Sequence, residues 1–75
     1  MSAALDMFVV YDHPTDHPDQ IIVRRWEILP GIARATAEFT AHDSLEEARH
    51  GLMQRGLTWL PRHPTDEPQI LESWI

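Results

Sequence analysis

The segment Gln20-Ile21-Ile22-Val23-Arg24-Arg25-Trp26-Glu27-Ile28-Leu29-Pro30-Gly31 decides the fold. Its first ten residues are rich in β-branched and aromatic side chains, and Pro30-Gly31 is a strong turn signal. The chain then alternates Ala33, Ala35, Ala37 and Phe39 against Arg34, Thr36, Glu38 and Thr40. Alternation with period two marks a half-buried strand. The stretch therefore reads as two strands joined by a tight return.

Upstream, Met7-Phe8-Val9-Val10-Tyr11 reads as a further strand, stopped by a loop with two prolines between Asp12 and Asp19. The residue before each proline is pushed out of helical geometry, so this loop is irregular or extended. Downstream, Ser44-Leu45-Glu46-Glu47 opens the one clear helix, with Ser44 as cap and Glu47 at the reciprocal capping-box position. Leu45, Ala48, Arg49, Leu52 and Met53 follow the spacing of a buried stripe, with Arg49 as a polar intruder. Gly56, followed by Leu57, has the form of a left-handed C-terminal stop. A short extended piece, Leu57 to Leu60, precedes a second proline loop, and Ile70 to Ile75 reads as a last strand.

The expectation is one α+β domain over residues 1–75, with residues 1–6 frayed. Its architecture is a two-layer sandwich, an antiparallel sheet of three to four strands with one helix on one face, in the order β-β-β-α-(β)-β. A single short helix covers only part of a sheet, so the other face is expected to be largely open. Parity assigns Ile21, Val23, Phe39, Leu71 and Ile75 to one face. It assigns Arg24, Trp26, Glu38, Glu72 and Trp74 to the other.

The two proline loops say nearly the same thing. His13-Pro14-Thr15-Asp16-His17-Pro18 recurs as His63-Pro64-Thr65-Asp66-Glu67-Pro68. An up-and-down trace with short connections brings both copies, together with His42 and Asp43, to one end of the sheet near the helix N-terminus. Turn chemistry alone explains such a motif, because Asp, Thr and Pro fix loops through side-chain to backbone bonds and a restricted φ. Two other readings are a protein-binding surface and a metal site. His13 and His17 have a ligand-like spacing, but that spacing is diagnostic on a helix and here the residues flank prolines.

Composition narrows the function classes. Of 75 residues, 12 are acidic and 6 basic, giving a formal net charge of -6. Nucleic-acid binding wants a basic stripe, so direct contact with nucleic acid is not expected. There are no cysteines, which removes disulfides and thiolate zinc sites. No positively charged leader or long apolar run is present, so the chain is expected in the cytoplasm and away from membranes. No nucleophile has an evident base: Ser44 serves as a cap and Ser73 sits in a strand.

The pattern from Tyr11-Asp12-His13-Pro14 to Trp26, closing with Glu72-Ser73-Trp74-Ile75, resembles small uncharacterised bacterial proteins, which bring no agreed function. In size, acidity and lack of catalytic residues the chain is also similar in character to phage-encoded inhibitors such as anti-CRISPR proteins. The expectation is a non-enzymatic module that occludes a partner protein, with a basic groove as its natural target. Its contact residues are expected among Asp12, His13, Asp16, His17, His63, Asp66 and Glu67, with Trp26 and Trp74 as aromatic candidates. No catalytic residue, cofactor or metal is assigned. The rival readings are a metal-binding or small enzyme-like domain at the His/Asp loop end, and a homodimer formed through the sheet.

Overall fold

A computed structural model describes residues 5–64 and 66–75. The chain folds as β1 (Leu5–Asp12), β2 (Ile21–Leu29), β3 (Ile32–His42), α1 (Leu45–Gln54), β4 (Trp59–Pro61) and β5 (Ile70–Trp74). The five strands form one antiparallel sheet in the order β3-β2-β1-β5-β4. The α+β class and the single helix match the expectation. The strand count is five, because the short extended piece after the helix pairs with β5 as Trp59↔Trp74 and Leu60↔Ser73. Leu5 and Asp6, expected in a frayed terminus, belong to β1, where they lie opposite Ile28 and Glu27. Residues 1–4 of that expected terminus, and Thr65 of the second loop motif, lie outside the described residues.

Local chemistry explains the elements. The β2–β3 return uses Pro30 with its fixed φ, then Gly31 at φ 76°, a conformation that a side chain disfavours. Ser44 caps α1, its hydroxyl accepting from the Glu47 peptide N–H at 3.2 Å. Glu46 and Glu47 occupy the first turn, where the helix dipole favours negative charge. The helix ends at Gly56, φ 74°, whose N–H donates to the Met53 carbonyl at 3.0 Å.

One core lies between the helix and the sheet. Phe8, Val10, Ile21, Val23 and Trp74 pack against Ala48 and Leu52, with Leu45, Leu57 and Leu71 at the margins. Glu72 is also buried on this face, 1% exposed. Arg49, the polar residue in the apolar stripe, reaches it with Nε at 3.1 Å from both carboxylate oxygens, and a second nitrogen also donates. The Trp74 indole donates to the same carboxylate at 2.7 Å, and Trp59 also helps to hold it in its charged form.

These contacts correct the expected faces. Glu72 and Trp74 point toward the helix, together with Ile21 and Val23. The cause is a bulge in β5: Val10 lies opposite Glu72, and the next residue, Tyr11, lies opposite Ile70. The extra residue puts Leu71 and Glu72 on the same side, which strict alternation cannot do. Phe39 lies opposite Arg24, on the face away from the helix, where parity had placed it with the core.

The second face is not simply open. Val9, Ile22 and Ile70 are buried there, at 3%, 1% and 9% exposure. At its end Ile22 lies at the bottom of a cleft walled by residues of the two proline loops.

Candidate protein-binding site at the loop end

Register places the loops. Asp12 pairs with Ile21, and Ile21 pairs with His42. The Asp12 N–H donates to the Gln69 carbonyl at 2.7 Å, and the His13 N–H donates to the Gln20 carbonyl at 3.1 Å. Loop 13–20, loop 62–69 and the entry to α1 therefore share one end of the sheet, as the up-and-down trace predicts.

The repeated motif is built partly from the same turns. The Gln20 N–H donates to the His17 carbonyl in the first copy, and the Ile70 N–H to the Glu67 carbonyl in the second. Both are four-residue turns with proline in the second position, where its φ is preset. The preceding turns differ. In the first copy the His17 N–H reaches the Pro14 carbonyl. In the second the Asp66 N–H reaches the His63 carbonyl, and the Asp66 carboxylate accepts the His63 N–H at 2.9 Å. His13 is left-handed, at φ 47°, and His63 is not. Two nearly identical sequences thus adopt different backbones at His13 and His63.

Each expected contact residue now has a position. Asp12 and His13 form an exposed neighbouring pair, carboxylate to Nδ1. Asp16 is exposed and lies 3.9 Å from the Arg24 guanidinium and 4.0 Å from His17. His17 is half-buried, its ring 4.9 Å from that of Phe39. Glu67 is exposed, and Asp66 is tied into its own turn. Trp26 is half-buried on the face away from the helix, its indole donating to the Tyr11 hydroxyl at 3.2 Å. Trp74 has no place in a surface site: it is 6% exposed and belongs to the core. The two indoles, expected on one face, lie on opposite faces, so Trp26 and Trp74 cannot serve one contact together.

Between the loops is a cleft of about 260 Å³. Pro14, Thr15 and Asp16 form one wall, Glu67 and Gln69 the other, and Tyr11, Ile22 and Arg24 the floor. Burial raises the Tyr11 phenol above its ordinary pKa, and the charges of Glu67 and Asp66 push the same way. The Trp26 hydrogen bond and Arg24 only partly oppose this. The hydroxyl therefore keeps its proton and can donate into the cleft. Tyr11 is a site residue that the sequence pattern does not single out, since it reads as the end of a strand.

Charge is strongly segregated. Asp12, Asp16, Asp19, Asp43, Glu46, Glu47, Asp66 and Glu67, eight of the twelve acids, belong to the loop end and the first helical turn. Of the other four, Glu72 is paired with Arg49 inside the fold. Asp6 and Glu38 flank Arg25, and Glu27 holds Arg34. Only Arg24 and Arg62 accompany the eight. Arg24 also donates to the Thr36 carbonyl at 2.9 Å, and Arg62 to the Asp66 carbonyl at 2.8 Å. Among the described residues no group of three or more His, Asp or Glu side chains is arranged to hold a metal ion. None of the described helices is long and apolar enough to cross a membrane.

Comparison with protein-family models, with curated proteins and with solved structures matched none of them.

Proposed function

We propose that this chain is a protein-binding module that sets its acidic loop end against a basic surface of another protein and so occludes it. One observation carries the reading: eight carboxylates gather at one end, while the other four are matched by arginines elsewhere in the fold. A field of eight carboxylates accompanied by only two arginines repels nucleic acid and steers a cationic surface toward itself. The proline turns hold the carboxylates on stiff loops, so little conformational entropy is lost on contact. An inhibitor from a phage or mobile element, of the anti-CRISPR type, is the sharp form of this reading. The test compares two baits in extracts of the native host. One is the native chain, and the other carries Asp12→Asn, Asp16→Asn, Asp66→Asn and Glu67→Gln. The native bait should retain a basic protein that salt elutes and the variant should lose it. Equal retention by both baits defeats the proposal.

A second reading, a homodimer through the sheet, is favoured by the unequal edges. β4 is three residues long and ends in proline, which blunts an edge. β3 has eleven residues, no lysine or proline, and nearly all its side chains exposed. Sedimentation equilibrium separates the readings: a monomer mass at high micromolar concentration removes the dimer.

A further inference from the structure

A second cavity lies on the opposite side of the sheet from the loop cleft, between α1 and strands β2 and β3. It is a trough of about 300 Å³ with an apolar floor of Phe8, Val23, Ala48 and Leu52. Two of its other lining residues, Gly51 and Arg55, stand out against the rest of the molecule.

Gly51 sits inside the helix. Glycine there costs about 0.5–1 kcal/mol relative to alanine. Its backbone is not left-handed, and a Cβ built on it would meet nothing within 4 Å. Neither conformation nor packing calls for glycine at this position. What its missing side chain does is leave the trough open along the helix.

Arg55 is the cation without an oxygen. Arg24, Arg25, Arg34, Arg49 and Arg62 each donate to a carboxylate or a backbone carbonyl. Arg55 has no such partner among the described residues. Its guanidinium lies over the Phe8 ring, 4.3 Å from the centroid. In a chain with twice as many acids as bases this is a conspicuous exception. Arg25, also on the rim, is already held by Glu38 and Asp6. A guanidinium held over an aromatic ring by cation–π attraction still has N–H donors to offer a carboxylate.

We infer that this trough is a binding site for an amphiphilic carboxylate, with the apolar body on Phe8, Val23 and Leu52 and the carboxylate on Arg55. The ligand class follows from the lining: an apolar channel open at the helix glycine, and one unmatched positive charge at its rim. A pocket of this type, mostly apolar with few polar groups, is the common form of a small-molecule site, and this one is at the small end of the range. The site is independent of the acidic loop end, so the four loop neutralisations should leave it untouched.

The experiment titrates the native chain with decanoate and, separately, with decanol, following amide shifts by NMR. Saturable decanoate binding should move the amides of Phe8, Ala48, Gly51 and Leu52, with decanol weaker. Arg55→Gln should weaken decanoate about tenfold, the loss expected for one charge-assisted contact, and bring it level with decanol. Gly51→Leu should fill the trough and abolish both. Circular dichroism checks that each variant folds, and Arg55→Gln, at an exposed position, decides alone should the leucine variant not fold. The inference is overturned by no saturable binding of decanoate to the native chain. It is equally overturned by decanol binding as well as decanoate, or by affinities that Arg55→Gln leaves unchanged.

Discussion

Arg49 on the helix and Glu72 in β5 form a bidentate pair across the core, with the carboxylate 1% exposed and the guanidinium still open to water. This pair sets the helix on the sheet. Glu72 accepts from Arg49 and from Trp74, so a helix side chain and a strand side chain converge on one buried carboxylate. Replacing it with Gln keeps the shape and removes the charge-assisted bonds. Glu72→Gln should cost about 1.5–3 kcal/mol, toward the lower end because the outer edge of Arg49 is screened by water. Urea unfolding gives the value. A cost below the error of that measurement would mean that the pair is not what seats the helix.

The same carboxylate predicts a pH dependence. Burial by itself would raise its pKa above the ordinary 4.5, but the bonds from Arg49, Trp74 and Trp59, with the Arg49 charge, outweigh it and hold the value lower. A depressed folded pKa means the unfolded chain takes up the proton first as pH falls. The stabilisation is complete above the unfolded value of 4.5 and is lost as pH falls from there through the folded value. The stability gap between the native chain and Glu72→Gln should thus be constant at pH 6–7 and shrink as acid is added. A gap that grows toward low pH would reverse the sign and refute the assignment.

The contrast between the two loop copies makes a third prediction. His13 is left-handed at φ 47° and His63 is not. A β-branched residue is most strongly penalised in that region. His13→Val should therefore cost about 1–2 kcal/mol more than His63→Val. Thermal or urea unfolding of the two variants, run side by side, gives the difference. Equal costs would mean that the copies share a backbone after all.

Much of this fold was legible in the residues. Ser44 and Gly56 bracket the helix, Pro30-Gly31 closes the hairpin, and the chain trace gathers the proline loops at one end. The side of the sheet taken by Glu72 and Trp74 was not legible, because it depends on the bulge at Leu71, and an inserted residue leaves no mark in a hydrophobic alternation. Phe39 is a different case. A two-residue turn pairs Leu29 with Ile32, so even-numbered residues of β2 face odd-numbered residues of β3 next to the turn. The register then shifts between Trp26 and Arg24 by two residues of β3, which keeps that parity and sets Phe39 on the face of Arg24. Arg49 was a signal of another kind: a charge inside an apolar helical stripe asks for a buried partner, and Glu72 is the acid of the last strand. The loop cleft needed three dimensions, since Tyr11, Asp16 and Glu67 meet only after the loops fold over the sheet.

Gly51 offers a stability test separate from ligand binding. Gly51→Ala should stabilise the native chain by about 0.5–1 kcal/mol, since the helix gains a better former and the new Cβ meets nothing. Thermal unfolding without added ligand should show the increase. A destabilised alanine variant would mean that the helix needs glycine for a reason of packing, and would remove one support of the trough as a site.

The acidic end makes a kinetic prediction against the partner that the pull-down recovers. Asp12, Asp16, Asp66 and Glu67 should act together, because exposed charges at the edge of a contact chiefly set the association rate. Salt should weaken them, with a screening length of about 8 Å at physiological ionic strength. Neutralising all four to Asn or Gln should slow association at low salt and flatten its salt dependence. Dissociation should change little, and so should folding, apart from the turn that Asp66 closes on the His63 N–H. An anchor at Trp26 behaves in the opposite way: its loss speeds dissociation and is nearly blind to salt. Trp74 cannot share that role from inside the core. Surface plasmon resonance at two salt concentrations separates the two mechanisms. An association rate that the four neutralisations leave unchanged would sink the acidic-surface reading, whatever Trp26 contributes.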